Sequence, residues 1–194
     1  MASRALSTTL IQRILPDRTG RSALRAAVQV AAGVLFLTAL AQLRVQLGPV
    51  PFTGQTLGVL LLGTAYGLGL GTLTTGAYVL LGALGLPLFT GWQGGVAHLM
   101  GPTGGYLVGF VLAAALLGWL AERGWDRSYG RTVAAMLLAE VAIYVPGLLW
   151  LHGLVGGWAQ TLALGLVPFL LGDALKMAVA VGLLPSAWRL LGER

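Results

Sequence analysis

Asp173 and Lys176 stand three residues apart inside an otherwise apolar run, Thr161 to Trp188, which reads TLALGLVPFLLGDALKMAVAVGLLPSAW. Three positions along a helix put both side chains on one face. The run is long enough to cross a bilayer as a helix. Charges at membrane depth are costly unless they meet each other or a polar ligand in a sheltered cavity. The chemistry such a pair offers is recognition: a carboxylate that accepts hydrogen bonds and an ammonium that donates them. The competing reading is an ion pair that only fixes helix packing. Glu140, in the middle of another apolar run, is the third charge at membrane depth. It is placed to pair with Lys176, to face a partner protein or to be protonated, and a packing or pairing role is expected.

Catalytic chemistry finds little support. Serine occurs only at Ser3, Ser7, Ser22, Ser128 and Ser186, near the ends or in a polar connection, so no buried Ser–His pair is available. Aspartyl catalysis would need Asp173 and Glu140 together, from different runs and without a supporting motif. His98 and His152, with no cysteine, make no metal-site spacing. GPTGG lacks the Lys-Ser/Thr and the strand of a phosphate loop, and GLGLG at Gly67 to Gly71 is no dinucleotide fingerprint in a helical membrane chain. The chain reads as a binding protein rather than an enzyme, with no cofactor and no metal.

The elements that must position these residues are membrane helices. Of 194 residues, 57% are hydrophobic and 9% charged, with a mean hydropathy of +0.84. A soluble domain carries roughly 25% charged residues. Apolar runs bounded by Gly, Pro or charge predict six helices, at about Ala23–Leu43, Gln55–Leu70, Gly71–Leu86, Gly104–Ala121, Thr132–Leu151 and Leu162–Leu184. Only the Gly-rich TAYGLGLGT separates the second from the third, so these are expected to be short, broken or tilted. The whole chain, 1–194, reads as one six-helix all-α membrane domain, with a polar N-terminal segment over about 1–22. That segment has no short apolar core before a small-residue cleavage site, so it does not read as a cleavable signal.

Ten of the twelve basic residues predict the orientation: Arg4, Arg13, Arg18, Arg21 and Arg25 before the first helix, Arg123, Arg127 and Arg131 between the fourth and fifth, and Arg189 and Arg194 after the sixth. Lys/Arg excess marks the cytoplasmic side, so both termini are expected there. The other side holds only Arg44, and Lys176 lies within a span. This asymmetry explains the net charge of +6 without nucleic-acid binding.

Two stretches then face outward. LGPVPFTGQT (Leu47 to Thr56) has prolines on both sides of Val50 and should form an ordered extended turn. PLFTGWQGGVAHLMGPTGGY (Pro87 to Tyr106) is too irregular for a span, and its loop part, 87–103, carries Trp92, Gln93 and His98. Long ordered loops of this kind are usually functional. Trp92 also suits an interfacial anchor, and His98 a solvated loop residue. Pro168 reads as an early-turn residue of the sixth helix. On the first helix, Ala23, Ala27 and Ala31 recur every fourth position with Gly33 nearby, a flat stripe that admits a close helix neighbour within the chain or outside it. Gln12 to Arg25, with Ile11, Ile14 and Leu15, suggests a short amphipathic element on the membrane surface.

GPVPFTGQTLGVLLLG, YVLLGALGLPLF, GPTGGYLVGF, IYVPGLLWL and VPFLLGDALK follow one another from about Pro49 to Lys176. In this order they resemble the BioY family, the biotin-specific S components of energy-coupling-factor (ECF) vitamin transporters. PFTGQT departs from the family pattern, which has a bulky apolar residue where Gly54 stands. The resemblance implies a six-helix fold that captures biotin from the outer face of a bacterial or archaeal cytoplasmic membrane. It also implies a transmembrane coupling subunit, met by the Ala23, Ala27 and Ala31 stripe, and two cytoplasmic ATPases, since this chain has no Walker motif. Biotin offers ureido N–H donors, a carbonyl, an apolar bicycle and a carboxylate. Asp173 can accept from the ureido N–H groups. Lys176 can pair with the ligand carboxylate, or with Asp173 when the site is empty. Trp92 and Tyr106 can pack on the rings, and Gln55 and His98 can make polar contacts near the mouth. Thiamine or another vitamin is the nearest rival cargo. An intramembrane enzyme and a passive channel are the rivals from other classes, and uptake by liposomes without ATPase partners would favour a channel.

Overall fold

The computed structural model describes residues 8–15 and 22–192. Its first element is a short helix α1 (Leu10–Ile14), and the first long helix is α2 (Ser22–Gln42). The expected surface element from Gln12 to Arg25 is thus described at its two ends only, and residues 16–21 lie outside the described residues. An antiparallel pair of two-residue strands follows, β1 (Arg44–Val45) and β2 (Phe52–Thr53), in the register Arg44↔Thr53 and Val45↔Phe52. Then come α3 (Gln55–Ala83), the short α4 (Val96–Leu99), α5 (Gly104–Ala121), a 3-10 turn (Trp125–Arg127), α6 (Tyr129–Val155), α7 (Trp158–Gly165) and α8 (Leu170–Leu190). Five of these, Ala23–Gln42, Gln55–Ala83, Gly104–Ala121, Tyr129–Val155 and Leu170–Leu190, are long and apolar enough to cross a membrane. Their outward faces expose Leu35, Leu80, Leu171 and Leu190 among many large apolar side chains. A surface this apolar suits lipid rather than water.

The sequence pattern separates two helices within residues 55–86, and α3 is indeed two helical arms joined at a sharp reversal. Gly67 takes φ 81° and ψ 179°, a conformation open essentially to glycine alone. A straight α3 would hold Gln55 and Tyr78 about 35 Å apart at 1.5 Å per residue. Instead Gln55 Nε2 donates to the Tyr78 hydroxyl at 2.7 Å. The two arms lie side by side, and a Cβ built on Gly71 would sit 3.2 Å from the Gly63 Cα. The reversal falls at Gly67 rather than at the Leu70–Gly71 boundary, because among Gly67, Gly69 and Gly71 only Gly67 adopts positive φ.

Close helix neighbours are set by small residues. On α5, a Cβ on Gly109 would approach the Ile143 Cα of α6 to 2.7 Å, and Ala113 and Ala114 are fully buried. At the end of the molecule away from the strands, the Leu68 N–H donates to Glu122 Oε1 at 2.9 Å, closing the α3 reversal against the end of α5. Trp188 Nε1 donates to Asp126 Oδ2 at 2.6 Å there, tying α8 to the 3-10 turn.

The last apolar run is also divided. A single sixth helix over Leu162–Leu184 is expected from hydropathy, but α7 ends at Gly165 and α8 starts at Leu170. Pro168 lies in the connecting turn, one residue before the Phe169 N-cap, rather than inside the helix. Proline lacks the N–H that would continue the α7 ladder. Asp173 consequently occupies the first turn of α8, where the positive end of the helix dipole favours a carboxylate.

Candidate functional site

Asp173 is 6% exposed and accepts two hydrogen bonds. Lys176 Nζ donates to Oδ1 at 2.9 Å, and the Tyr144 hydroxyl of α6 donates to Oδ2. The ammonium of Lys176 also sits 3.9 Å from the centre of the Phe52 ring. Phe52, brought in by β2, stacks on Phe169 with 6.2 Å between ring centres. The ion pair is thus covered from the strand side by two aromatic rings. Tyr106 adds a further wall: its hydroxyl donates to the Gly165 carbonyl at 2.8 Å, and its ring meets Tyr144 edge-on at 6.2 Å.

Asp173, Lys176, Tyr144, Phe169 and Tyr106 line one cavity. Asp173, Lys176 and Tyr144 lie along its polar side, while Tyr106, Phe110 and Ile143 make an apolar wall. An apolar wall facing a few convergent polar groups is the usual design of a site for a small organic molecule.

Gln55 lines the same cavity but is heavily engaged. Besides its bond to Tyr78, its Oε1 accepts from Thr53 Oγ1 at 2.9 Å and from Thr90 Oγ1 at 3.2 Å. Tyr78 in turn donates to the Leu88 carbonyl at 3.1 Å. Gln55 therefore knots β2, both arms of α3 and the 84–103 loop together. Gln42 acts similarly at the rim. Its Nε2 donates to the Phe89 carbonyl at 3.2 Å, and its Oε1 accepts from the N–H groups of Gly91 and Trp92.

His98 closes the mouth. Its ring stacks on Phe89 at 5.0 Å, and its Nδ1 lies 2.8 Å from Gln93 Oε1. Burial holds its pKa below the usual imidazole value. Beyond His98 lies an outer vestibule lined by Arg44, Gln46, Pro51, Thr90, Gln93 and His98 among others. Pro51, Thr90, His98 and Thr103 border both spaces, so the vestibule and the inner cavity lie on either side of the same residues.

Of the six residues picked out from the sequence, Asp173, Lys176, Tyr106, His98 and Gln55 line the cavity. Trp92 does not: it is 64% exposed, turned outward at the tip of the tight Phe89↔Gln93 bridge with φ 59°. Glu140 is 7% exposed, and neither carboxyl oxygen has a hydrogen-bond partner among the described residues. The expected pairing with Lys176 is not formed, because Lys176 closes on Asp173 three residues away. Ala23, Ala27 and Ala31 are exposed along α2 rather than packed inside the chain. Gly54, the departure in PFTGQT, lies where a Cβ would come within 2.9 Å of the Leu40 carbonyl oxygen.

Sequence reasoning passes over Tyr144, Tyr78, Phe52 and Phe169. Tyr144 carries a signal: it lies four residues after Glu140, on the same polar stripe of an apolar helix. The others carry no signal in one dimension, since an aromatic in an apolar run reads as core.

The geometry is that of a receptor for a small amphipathic molecule, and known proteins agree. The BioY family model matches residues 11–193. The probable biotin transporter BioY of Pyrococcus horikoshii is 41% identical over 141 residues, covering 73% of this chain and 82% of that protein. The biotin transporter BioY of Thermotoga maritima is 41% identical over 140 residues, covering 72% and 82%. That of Rhizobium etli is 34% identical over 166 residues, covering 82% and 86%. A crystal structure described as the S-component for biotin from an ECF-type ABC transporter superposes with a TM-score of 0.77 at 26% identity, covering 91% of this chain and 95% of that one. With the family model and the relatives spanning most of its length, and the fold shared across nearly all of it, the chain belongs to the BioY family.

Proposed function

We propose that this chain is the biotin-capturing S component of an ECF-type transporter and carries no catalytic activity of its own. The observation that carries the reading is the Asp173–Lys176 pair, held by Tyr144 at the side of a chamber walled by Tyr106, Phe110 and Ile143. Biotin's ureido head would bring N–H donors to Asp173 and a carbonyl to Lys176, while its apolar bicycle would fill the space against Tyr106. Gln55 and His98 would shape the mouth, and Trp92 would anchor the loop at the membrane interface.

The whole chain would act as one membrane domain that crosses the bilayer six times, with the two arms of α3 as separate crossings. Both termini would lie on the cytoplasmic side of a bacterial or archaeal cytoplasmic membrane, as the clustering of arginines favours. The site would then open outward. The exposed Ala23, Ala27 and Ala31 stripe on α2 would meet a transmembrane coupling subunit, itself joined to two cytoplasmic ATPases.

The test is to purify the protein in detergent, identify co-purifying small molecules by mass spectrometry, and titrate the stripped protein calorimetrically. Biotin is expected to co-purify and to rebind tightly, while an analogue lacking the ureido N–H donors binds far more weakly, since a site built to bond them is left unpaired. Recovery of another vitamin with no response to biotin would overturn the reading.

A further inference from the structure

Resting on that biotin reading, the structure points to Arg44 as the residue that receives the ligand's carboxylate, so that the anionic end stays in the outer vestibule and the neutral ureido head goes inward. The first support is electrostatic. Among the described residues lining the inner cavity, Lys176 is the sole lysine or arginine. It is already closed on Asp173, and Glu140 is buried one helical turn from Tyr144 with no partner among the described residues. Bringing a third carboxyl group to this place would set three acids around one ammonium, in a medium where unpaired charge is costly. A neutral head with N–H donors carries no such penalty.

The second support is the vestibule. Arg44 lines it together with Gln46, Gln93 and His98, all able to donate hydrogen bonds. The six acidic residues of the chain are Asp17, Glu122, Asp126, Glu140, Asp173 and Glu193, so none lies in the strand pair or the 84–103 loop that build the mouth. Among the described residues lining the vestibule there is no carboxylate to compete for the guanidinium, and Arg44 is the one lysine or arginine. Its backbone is held by the ladder to Thr53, and its guanidinium lies against the bare α-carbon of Gly91, where a Cβ would fall 2.4 Å from Nη1. Pro51, Thr90, His98 and Thr103 line both spaces, so a ligand with its head at Asp173 has only these side chains between its flexible acyl tail and Arg44. An arginine offers two parallel N–H donors to a carboxylate, a geometry that lysine lacks.

The test compares biotin with neutral biotin amide on wild type, Arg44→Gln and Arg44→Lys, with calorimetric affinities and stopped-flow association rates at low and high salt. Arg44→Gln is expected to weaken biotin roughly tenfold or more, the scale of a charge-assisted bond, and to change amide binding less than about twofold, within ordinary surface-substitution effects. Unaltered amide binding also shows that the variant is folded. Salt is expected to slow biotin association to wild type and not to Arg44→Gln, with Arg44→Lys intermediate. Equal weakening of biotin and amide, or no weakening of biotin, would overturn the inference while leaving the biotin reading in place. Wild-type protein that binds neither compound would overturn both.

Discussion

Gln55 and Tyr78 lie on the two arms of α3, 23 positions apart, and their side chains meet at 2.7 Å. The bond exists because the run turns back at Gly67, and it places the start of α3 beside the loop that roofs the cavity. Tyr78 also donates to the Leu88 carbonyl at 3.1 Å. Tyr78→Phe would leave both the Gln55 amide and that carbonyl without a partner in a fully buried place. A loss of about 1–3 kcal/mol is expected, read as a lowered apparent unfolding temperature in detergent. An unchanged temperature would mean the knot at Gln55 does not hold the roof.

Asp173→Asn and Lys176→Ala are each expected to remove high-affinity biotin binding without preventing membrane insertion. Removing one partner of a buried pair leaves the other charge uncompensated. Tyr144→Phe keeps the pair and removes one donor to Asp173, so a smaller loss of roughly tenfold is expected, the worth of one bond to a charged group. Tryptophan fluorescence titration of the three purified variants checks the ranking, and near-normal affinity in the first two would remove the site assignment.

The α3 reversal makes a paired glycine test. At Gly67, φ 81° disfavours any side chain, and a Cβ would fall 2.5 Å from Thr9 Cγ2 and 2.9 Å from Glu122 Oε1. Gly67→Ala should cost at least about 2 kcal/mol and lower the unfolding temperature. At Gly69, two residues on, an added Cβ would have nothing within 4 Å, so Gly69→Ala should be neutral or stabilise by up to about 1 kcal/mol. Equal effects at the two positions would contradict the fold-back.

His98 sets a pH dependence. Burial lowers its pKa from the ordinary 6.5, so the unfolded chain takes up the proton first as pH falls. Its contribution to stability is complete above the unfolded value and declines as pH drops below it toward the lowered folded value. Protonation also sets a charge on the ring that stacks on Phe89 at the cavity mouth. Wild type is expected to lose thermal stability on acidification from pH 7.5 to about 5.5, and His98→Gln to lose less over the same interval. Identical profiles would exclude His98 as the titrating group.

Much of the frame is legible in the residue order. The Gly104–Ala121 helix falls where hydropathy places it, and five of six chosen residues line one cavity. Trp92 escapes that reading because the turn at Phe89 and Gln93, which points it outward, depends on a backbone bridge that side-chain types do not encode. Tyr144 escapes it because its value comes from facing Asp173 across two helices.

The amino-acid order by itself determined that this protein lives in a membrane and that Asp173 and Lys176 share a helix face. Both follow from local quantities, the scarcity of charge and the spacing along one run. Only the tertiary structure decided that α3 doubles back at Gly67, that Lys176 closes on Asp173 rather than Glu140, and that Arg44 borders the mouth of the chamber. Those depend on helix rotation and on contacts between residues distant in the chain, which the packing of small residues sets and no single segment contains.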